Sequence, residues 1–355
     1  IKKKDPSIQL SLDKIKIKFD IKKIQIYLST VEPQIIYQGI NIPIKEINLY
    51  SKIISILKSK NEINQIIVSI DNLNIKDIQK LAIRIKPSNF KNYLLNNIDK
   101  GTVEKILIDV KLGENMKIND YKVNGFVKKV NIKAPNDLLI KDISLNFISD
   151  KNLTLINSLK AKYQGVLVSN GSLSLKRNKQ VDIEGKFESK FNLNKDTLKN
   201  LFSKTDVNFL EKNSLNAQGS LLHNFYLKFD ENIKLIDYDY KSSGNISESQ
   251  IILKDDFKSN FIENSIKKIL ISQTNLTINL NKKNNNLLLF EGLYNLEKTK
   301  NKKFKISYNL NKKNPKFLID FDLAENINLE LINFKSNHKN RSNIKSEINF
   351  VNNNI

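Results

Sequence analysis

Hydrophobic and polar residues alternate along most of the chain. The first series lies in residues 8–44, where the apolar positions include Ile8, Leu10, Leu12, Ile15, Ile17, Phe19, Ile21, Ile24, Ile26 and Leu28. Similar series cover residues 61–72 and 120–193, and they resume from Leu215 to the end of the chain. A period of two is typical of strands with one buried face. Many series run for about ten residues or more, against a usual strand of about five or six, so the pattern predicts a mainly β fold of long strands.

Four segments instead place apolar residues three and four positions apart, which predicts short helices. They are residues 45–58, 74–82, 86–100 and 194–204. Asn74 and Asn194 stand at the start of two of these segments, where their side chains can cap the first helical turn. We therefore expect a mainly β protein with a few short helices.

The clearest change of period lies within Lys86–Leu112. Its helical face is formed by Phe90, Tyr93, Leu94 and Ile98. Gly101 is the residue expected to end this helix in the left-handed conformation. From Thr102 the period becomes two, which predicts a strand directly after the glycine.

The alternation slips by one residue at Lys128–Lys129, between Val127 and Val130. A slip of one position moves every later side chain to the other face unless the strand is irregular there, so we predict a β-bulge or a bend. Short polar turns join the strands, which favours an antiparallel sheet with one wet and one dry face. A second sheet, helices or a molecule other than protein must cover the dry face.

The composition narrows the classes of function. The chain has 355 residues, a net charge of +22 and no cysteine, so it has no disulfide, thiolate zinc site or cysteine nucleophile. The positive charge could attract nucleic acid or anionic lipid. The lysines are spread along strands and turns, however, and Lys, Asn and Ile are the dominant residues throughout the chain. A general bias of the composition towards these residues therefore explains the positive charge better than a nucleic-acid or lipid partner does. No run of eighteen apolar residues occurs. Ile1 in place of methionine suggests a piece of a longer protein.

Catalytic motifs are absent from the sequence. The two histidines, His223 and His338, are far apart and have no partner at metal-ligand spacing, so both are predicted to lie at the surface. The carboxylate pairs Asp255–Asp256 and Asp237–Asp239 could serve in calcium binding or acid–base chemistry, but their lysine neighbours favour solvated turns. We therefore predict no enzymatic activity, no cofactor and no metal.

Three stretches together resemble the bacterial AsmA-like family of large envelope proteins. They are residues 26–82, beginning IYLSTVEPQIIYQG, residues 86–112, KPSNFKNYLLNNIDKGTVEKILIDVKL, and residues 123–193, which include LIKDISLNFISDKNLTLINSLKAKYQGVLVSNGSLSL. They cover about half of the chain. The helix of the second stretch carries Tyr93 where the family often has tryptophan. From about residue 215 the likeness is only the rhythm of the strands.

The resemblance implies an elongated, curved antiparallel sheet that forms a groove. It further implies a location in the Gram-negative periplasm, an inner-membrane anchor through a helix outside this chain, and transport of phospholipid towards the outer membrane. Periplasmic or outer-membrane partner proteins would follow, and nucleic acid would not be a partner. We divide the chain accordingly into an N-terminal strand–helix–strand region, a central helix–Gly–strand β-domain and a C-terminal continuation of the sheet, at residues 1–85, 86–193 and 194–355.

A dry strand face is also a physically suitable path for acyl chains. The predicted groove lining is Ile106, Ile108, Val110, Ile143, Leu145, Phe147, Leu155, Val181, Ile183 and Phe187. The alternation alone serves equally well for a structural or adhesive β-rod or sandwich with a filled core and no lipid. A basic nucleic-acid binder is a third hypothesis, and it requires strongly salt-dependent binding.

Overall fold

The computed structural model describes most of the chain. The described residues are 8–37, 39–53, 62–83, 92, 95–134, 138–201, 213–258, 264–283, 286–297, 299–310, 315–323, 328–329, 334–335 and 343–349. The chain divides into two compact units. Unit 1 comprises Ile1–Ala161, Asn170–Ile183 and Phe229–Lys234, and unit 2 comprises Lys162–Ser169, Glu184–Lys228 and Leu235–Ile355.

Strands make up most of the described residues. The first ten are β1 (Ile8–Ser11), β2 (Ile15–Asp20), β3 (Gln25–Val31), β4 (Gln34–Tyr37), β5 (Ile40–Lys52), β6 (Gln65–Asn74), β7 (Ile98–Leu112), β8 (Ile118–Ala134), β9 (Leu138–Ser149) and β10 (Leu153–Tyr163). The rest are β11 (Val166–Arg177), β12 (Val181–Leu193), β13 (Ser214–Phe229), β14 (Leu235–Phe257), β15 (Ile266–Asn281), β16 (Leu287–Leu296), β17 (Lys302–Asn309), β18 (Lys316–Asp322), β19 (Asn328–Leu329), β20 (Phe334–Lys335) and β21 (Asn343–Asn349). Strands β19 and β20 form a separate hairpin, and the other nineteen belong to one sheet. The predicted fold class, mainly β with long antiparallel strands and a few short helices, is confirmed.

Two predicted helices are present, and both begin as their sequences indicate. Helix α1 spans Ile75–Ile83, and Asn74 Oδ1 accepts a hydrogen bond of 2.9 Å from the backbone N–H of Lys76. Helix α2 spans Lys195–Leu201, and Asn194 Oδ1 accepts one of 2.9 Å from the N–H of Thr197. The asparagine side chains thus satisfy N–H groups that have no partner within the helix. A short 3-10 helix, Glu114–Met116, lies between β7 and β8.

The helix predicted for residues 45–58 is wrong over its first half, because residues 45–52 belong to β5. One edge of β5 pairs with β3 and the other with β6, so both sets of backbone groups are satisfied by neighbouring strands. This pairing outweighs the weak helical preference of the segment. Residues 54–61, which include the end of the predicted helix, lie outside the described residues.

Gly101 does not end a helix, because β7 already begins at Ile98. The glycine lies inside the strand with φ of +135°. A Cβ atom at this position would lie 2.3 Å from Val130 Cγ2, so the close approach of β8 explains the glycine. Of the predicted helix at 86–100, only residues 92 and 95–97 are described as helical, and its apolar residues Phe90, Tyr93 and Leu94 lie outside the described part.

The predicted β-bulge at Lys128–Lys129 is confirmed. The register between β8 and β9 shifts between Val127 and Val130, and Lys129 has φ of +52°. Val127 lies opposite Leu145, and Val130 lies opposite Ile143. The bulge therefore keeps apolar side chains on one face of the sheet on both sides of the slip.

Candidate functional site: apolar rows across the strands

The dry face of unit 1 carries a continuous row of apolar side chains that runs across the strands. Directly opposite residues of antiparallel strands place their side chains on the same face. The first row crosses β2, β3, β5, β6, β7 and β8 through Ile17, Leu28, Leu49, Ile66, Val110 and Tyr121. With strands about 4.8 Å apart, this row is about 24 Å long.

A second row lies beside the first, two residues further along each strand. It runs through Thr30, Ile47, Val68, Ile108 and Val123. Its one polar member is Thr30, whose hydroxyl donates a hydrogen bond of 3.4 Å to the carbonyl oxygen of Ile47. The two rows together form an apolar strip at least two side chains wide.

Other parts of the protein cover this face at one end of the strands and leave it more exposed at the other. Helix α1 packs against β6 and β7, and its Ile75 joins a cluster of buried residues. The other members of this core cluster are Ile44, Ile70, Leu73, Val103, Ile106, Val130 and Ile143. The first row is more open, because Ile17 is 76% exposed at one end and Tyr121 is 37% exposed at the other.

Six of the ten predicted lining residues share this face. Ile106 and Ile143 belong to the core cluster, and Ile108, Leu145 and Phe147 pack against it. Val110 lies in the first row, opposite Ile66. The ring of Phe147 lies over Gly125, where an added Cβ would be 3.1 Å from Phe147 Cε1. The glycine on β8 therefore makes room for the largest side chain of the set.

The other four predicted residues have different surroundings. Leu155 on β10 is 38% exposed, three residues before Ser158, which has φ of +56°. Val181 and Ile183 are half-buried on β12, and neither belongs to the core cluster. Phe187 belongs to unit 2, where its ring stacks on His223 with centroids 4.3 Å apart.

Several members of the two rows were missed from the sequence. Ile47 and Leu49 were assigned to a helix, which concealed their alternation with Asn48. Leu28 and Ile66 were recognised as strand residues but could not be aligned with Val110, because the registers of β3, β5, β6 and β7 are not visible in the sequence. A strand assignment for residues 45–52 would have been the signal that extended the lining to β5.

Unit 2 also carries an apolar face, and this face includes several pairs of aromatic side chains. One row crosses β15, β16, β17, β18 and β21 through Ile278, Leu288, Tyr308, Phe317 and Ile348. Tyr308 and Phe317 meet edge to face, with ring centroids 5.9 Å apart. Tyr294 meets both Phe304 and Phe321 in the same manner, with centroids 6.3 Å apart in each pair.

The opposite face of unit 2 carries a row of alternating charges: Glu291, Lys305, Asp320 and Lys345. Lys305 Nζ lies 3.7 Å from Glu291 Oε2, and Lys345 Nζ lies 3.2 Å from Asp320 Oδ2. A hydrogen bond from Asn343 and the nearby Lys345 lower the pKa of the exposed Asp320 carboxyl. This part of the sheet thus has one polar, solvent-exposed face and one apolar face, as predicted.

A hydrogen-bonded polar chain is buried in unit 2. His223 Nε2 lies 2.7 Å from Ser189 Oγ, and His223 Nδ1 lies 2.8 Å from the hydroxyl of Tyr240. The prediction that His223 lies at the surface is therefore wrong, since it is only 7% exposed. Successive side chains of a strand point to opposite faces, and Leu222, the residue before His223 on β13, is exposed. The imidazole of His223 therefore lies on the buried face. Burial lowers the pKa of His223 and raises that of Tyr240. His338 lies outside the described residues.

The other candidates for chemistry give no site in the described part of the chain. Asp256 pairs with Lys267 at 3.3 Å, and Asp239 with Lys241 at 3.8 Å. The described residues hold no group of three or more histidines and carboxylates able to bind a metal ion. None of the described helices is both long and apolar enough to cross a bilayer.

Comparisons with known proteins found no match: no protein-family model, no curated protein and no solved structure is significantly similar to this chain. The resemblance to the AsmA-like family therefore stays a prediction.

Proposed function

We propose that the apolar rows of unit 1 hold the acyl chains of phospholipids and let them move across the strands. The observation that supports this is the alignment of apolar side chains, strand after strand, from Ile17 to Tyr121. A methylene-rich chain lying along such a row meets hydrocarbon at every strand. The row needs no reactive group, so the proposed function is not enzymatic and requires no cofactor.

An acyl chain that leaves a membrane is exposed to water, and this exposure is costly. Each methylene contributes about 0.8 kcal/mol, so a chain of about sixteen carbons faces a barrier on the order of 10 kcal/mol. A row of half-buried side chains lowers this barrier along its whole length. An isolated apolar pocket would lower it at one point only, which is why the continuity of the row matters.

The cellular setting of this proposal rests on the AsmA-like resemblance. It comprises the periplasm, an inner-membrane anchor outside this chain, phospholipid delivered towards the outer membrane, and partner proteins in the periplasm or outer membrane. In that setting the protein supports the lipid homeostasis of the outer membrane.

A structural β-rod is the second candidate function. It is favoured by helix α1, which covers part of the apolar face of unit 1. The core cluster beneath α1 is filled by protein side chains, including Ile106 at 6% exposure. If the whole apolar face were filled in this way, the protein would carry no lipid. The partial exposure of the first row favours lipid binding over the rod, because a filled core would leave no exposed apolar row.

The test replaces two neighbouring members of the rows on β7. We expect the Ile108→Asp/Val110→Asp variant to lose bound phospholipid, because two carboxylates make the strip unfavourable for acyl chains. The purified chain, expressed in a Gram-negative host, would be extracted with organic solvent and its phospholipid counted by mass spectrometry. Transfer of a fluorescent phospholipid between vesicles measures the movement itself.

Leu107→Asp is the matched control. Leu107 lies on the same strand but opposite Ser69 and Asn124, on the other face of the sheet, and is already 38% exposed. This variant should keep its lipid. Wild-type protein that copurifies without phospholipid, or equal loss in both variants while circular dichroism shows an intact fold, would refute the proposal and favour the rod.

A further inference from the structure

The β2–β3 hairpin exposes large apolar side chains at its tip. The four-residue turn is Ile21, Lys22, Lys23 and Ile24. Ile21 is 79% exposed, the highest value among the large hydrophobic residues of the described part, and Ile24 is 67% exposed. The apolar face of β2 continues this surface through exposed Ile15, Ile17 and Phe19.

The residues of this turn are unusual for their position. Turns ordinarily use Gly, Pro, Asn, Asp or Ser, whose backbones or side chains suit a tight reversal. The turn at Asp150–Asn152 of unit 1 follows that rule, because Asp150 Oδ1 accepts hydrogen bonds of 2.8 Å from the N–H groups of Asn152 and Leu153. Ile24 instead has φ of +51°, which is costly for a β-branched residue. The hairpin thus presents isoleucine to solvent where a polar residue would fold more easily.

The charge of the hairpin is positive. Residues 13–31 contain five lysines and two aspartates. Asp20 is engaged in the turn, because its Oδ1 accepts a hydrogen bond of 3.2 Å from the N–H of Lys23. Lys22 thus stands at the tip between the two exposed isoleucines, and beside it the Lys23 side chain lies over the ring of Tyr50, with Nζ 5.6 Å from the ring centroid.

A second turn at the same end of the sheet has the same character. The registers from β3 through β5 and β6 to β7 place the β7–β8 turn at the end where the β2–β3 turn lies. That turn exposes Met116 and Ile118 on either side of Lys117. Two turns at this end of the strands thus combine exposed apolar side chains with lysine.

We propose that the β2–β3 hairpin tip of unit 1 docks onto an anionic lipid bilayer. Ile21 and Ile24 enter the boundary of the acyl region, while Lys22 contacts lipid phosphates and the neighbouring Lys23 adds positive charge beside it. An anionic bilayer fits because it offers hydrocarbon and negative charge within a few ångströms of each other, which matches the alternation of the turn. This inference does not depend on the apolar rows carrying lipid.

The absence of tryptophan from the chain allows a direct test. Ile21→Trp introduces a single tryptophan at the hairpin tip of the 355-residue chain. With vesicles of equal parts phosphatidylglycerol and phosphatidylcholine, we expect its emission to shift to the blue and brominated acyl chains to quench it. Leu167→Trp, at a residue that is 51% exposed on β11, is the matched control and should respond to neither. An unshifted Ile21→Trp, or an equal response at both positions, overturns the proposal.

Charge reversal tests the role of the lysines. The Lys22→Glu/Lys23→Glu variant in the Ile21→Trp background should bind these vesicles about tenfold more weakly or worse, since each lysine at an anionic surface contributes favourably. Equal binding to pure phosphatidylcholine vesicles, or an unchanged affinity after reversal, contradicts the proposed site. The Ile108→Asp/Val110→Asp variant should dock normally, so failure of docking and failure of lipid carriage are separable.

Discussion

The two units bury different kinds of side chain. In the described part of unit 1, nine hydrophobic residues and three polar residues are buried; in that of unit 2, two hydrophobic and five polar residues are buried. The dry face of unit 1 is aliphatic and partly covered by α1. That of unit 2 carries edge-to-face aromatic pairs, and the unit also buries the Ser189–His223–Tyr240 chain.

This difference separates two ways of stabilising a long sheet. Aliphatic contacts have no directional requirement, so the stability of unit 1 depends on volume and packing. Buried hydroxyl and imidazole groups are stable only while each finds a partner, so unit 2 depends on hydrogen bonds and on protonation. Each prediction below tests one side of this contrast.

The largest effect is expected in the core cluster of unit 1. Ile106→Ala should lower the free energy of unfolding by about 2–5 kcal/mol, because a cavity remains among buried neighbours. Ile306→Ala, at a half-buried residue on the apolar face of unit 2 opposite Phe290 and Ile319, should lower it by only about 1–2 kcal/mol. Urea unfolding monitored by circular dichroism measures both. Equal losses would show that the faces of the two units are equally well packed.

A smaller effect should follow the protonation of His223 in unit 2. Burial lowers its pKa below the ordinary value of 6.5, so the unfolded chain takes up a proton first as the pH falls. Stability from this residue is complete above pH 6.5 and decreases as the pH falls through the lower folded-state pKa. His223→Gln should remove that part of the pH dependence in urea unfolding. An identical pH dependence in wild type and His223→Gln would exclude this origin.

The smallest effect concerns the charged row of unit 2. Asn343→Ala removes the main hydrogen bond that lowers the pKa of Asp320, so that pKa should rise towards 3.8. Asn349→Ala, which removes a hydrogen bond to Glu347 instead, is the control. Carboxyl titration by NMR measures the change, and stability should hardly respond because the row is exposed. A drop in stability comparable to that of Ile306→Ala would assign this face a structural role that its exposure does not suggest.

Local patterns predicted much of the fold. The alternation from β6 to β12 was recognised, as were the bulge at Lys128–Lys129 and the asparagine caps of both helices. These features depend on neighbouring residues, so they are visible in the sequence. The strand at residues 45–52 was mistaken for a helix because Ile47, Tyr50 and Ile53 also fit a helical spacing, and only the pairing of β5 with β3 and β6 distinguishes the two.

The candidate site was predictable in part. Six predicted lining residues share one face of unit 1, because the period of two already assigns a side to each residue of a strand. The partners across the strands were not predictable, since register depends on contacts between residues far apart in sequence. His223 shows the same limit: the sequence predicted a surface position, because its partners Ser189 and Tyr240 lie on other strands and cannot be paired with it from local pattern.

The order of the residues alone determined that this chain forms long strands with one apolar and one polar face, since that property belongs to each strand separately. Only the tertiary structure decided which apolar residues stand opposite one another, how far α1 covers them and which polar groups are buried together. Hydrogen-bonded pairing of distant segments sets the register, and one position of slip would move every apolar side chain of a strand to the opposite face. The continuous rows from β2 to β8 are therefore a property of the folded sheet.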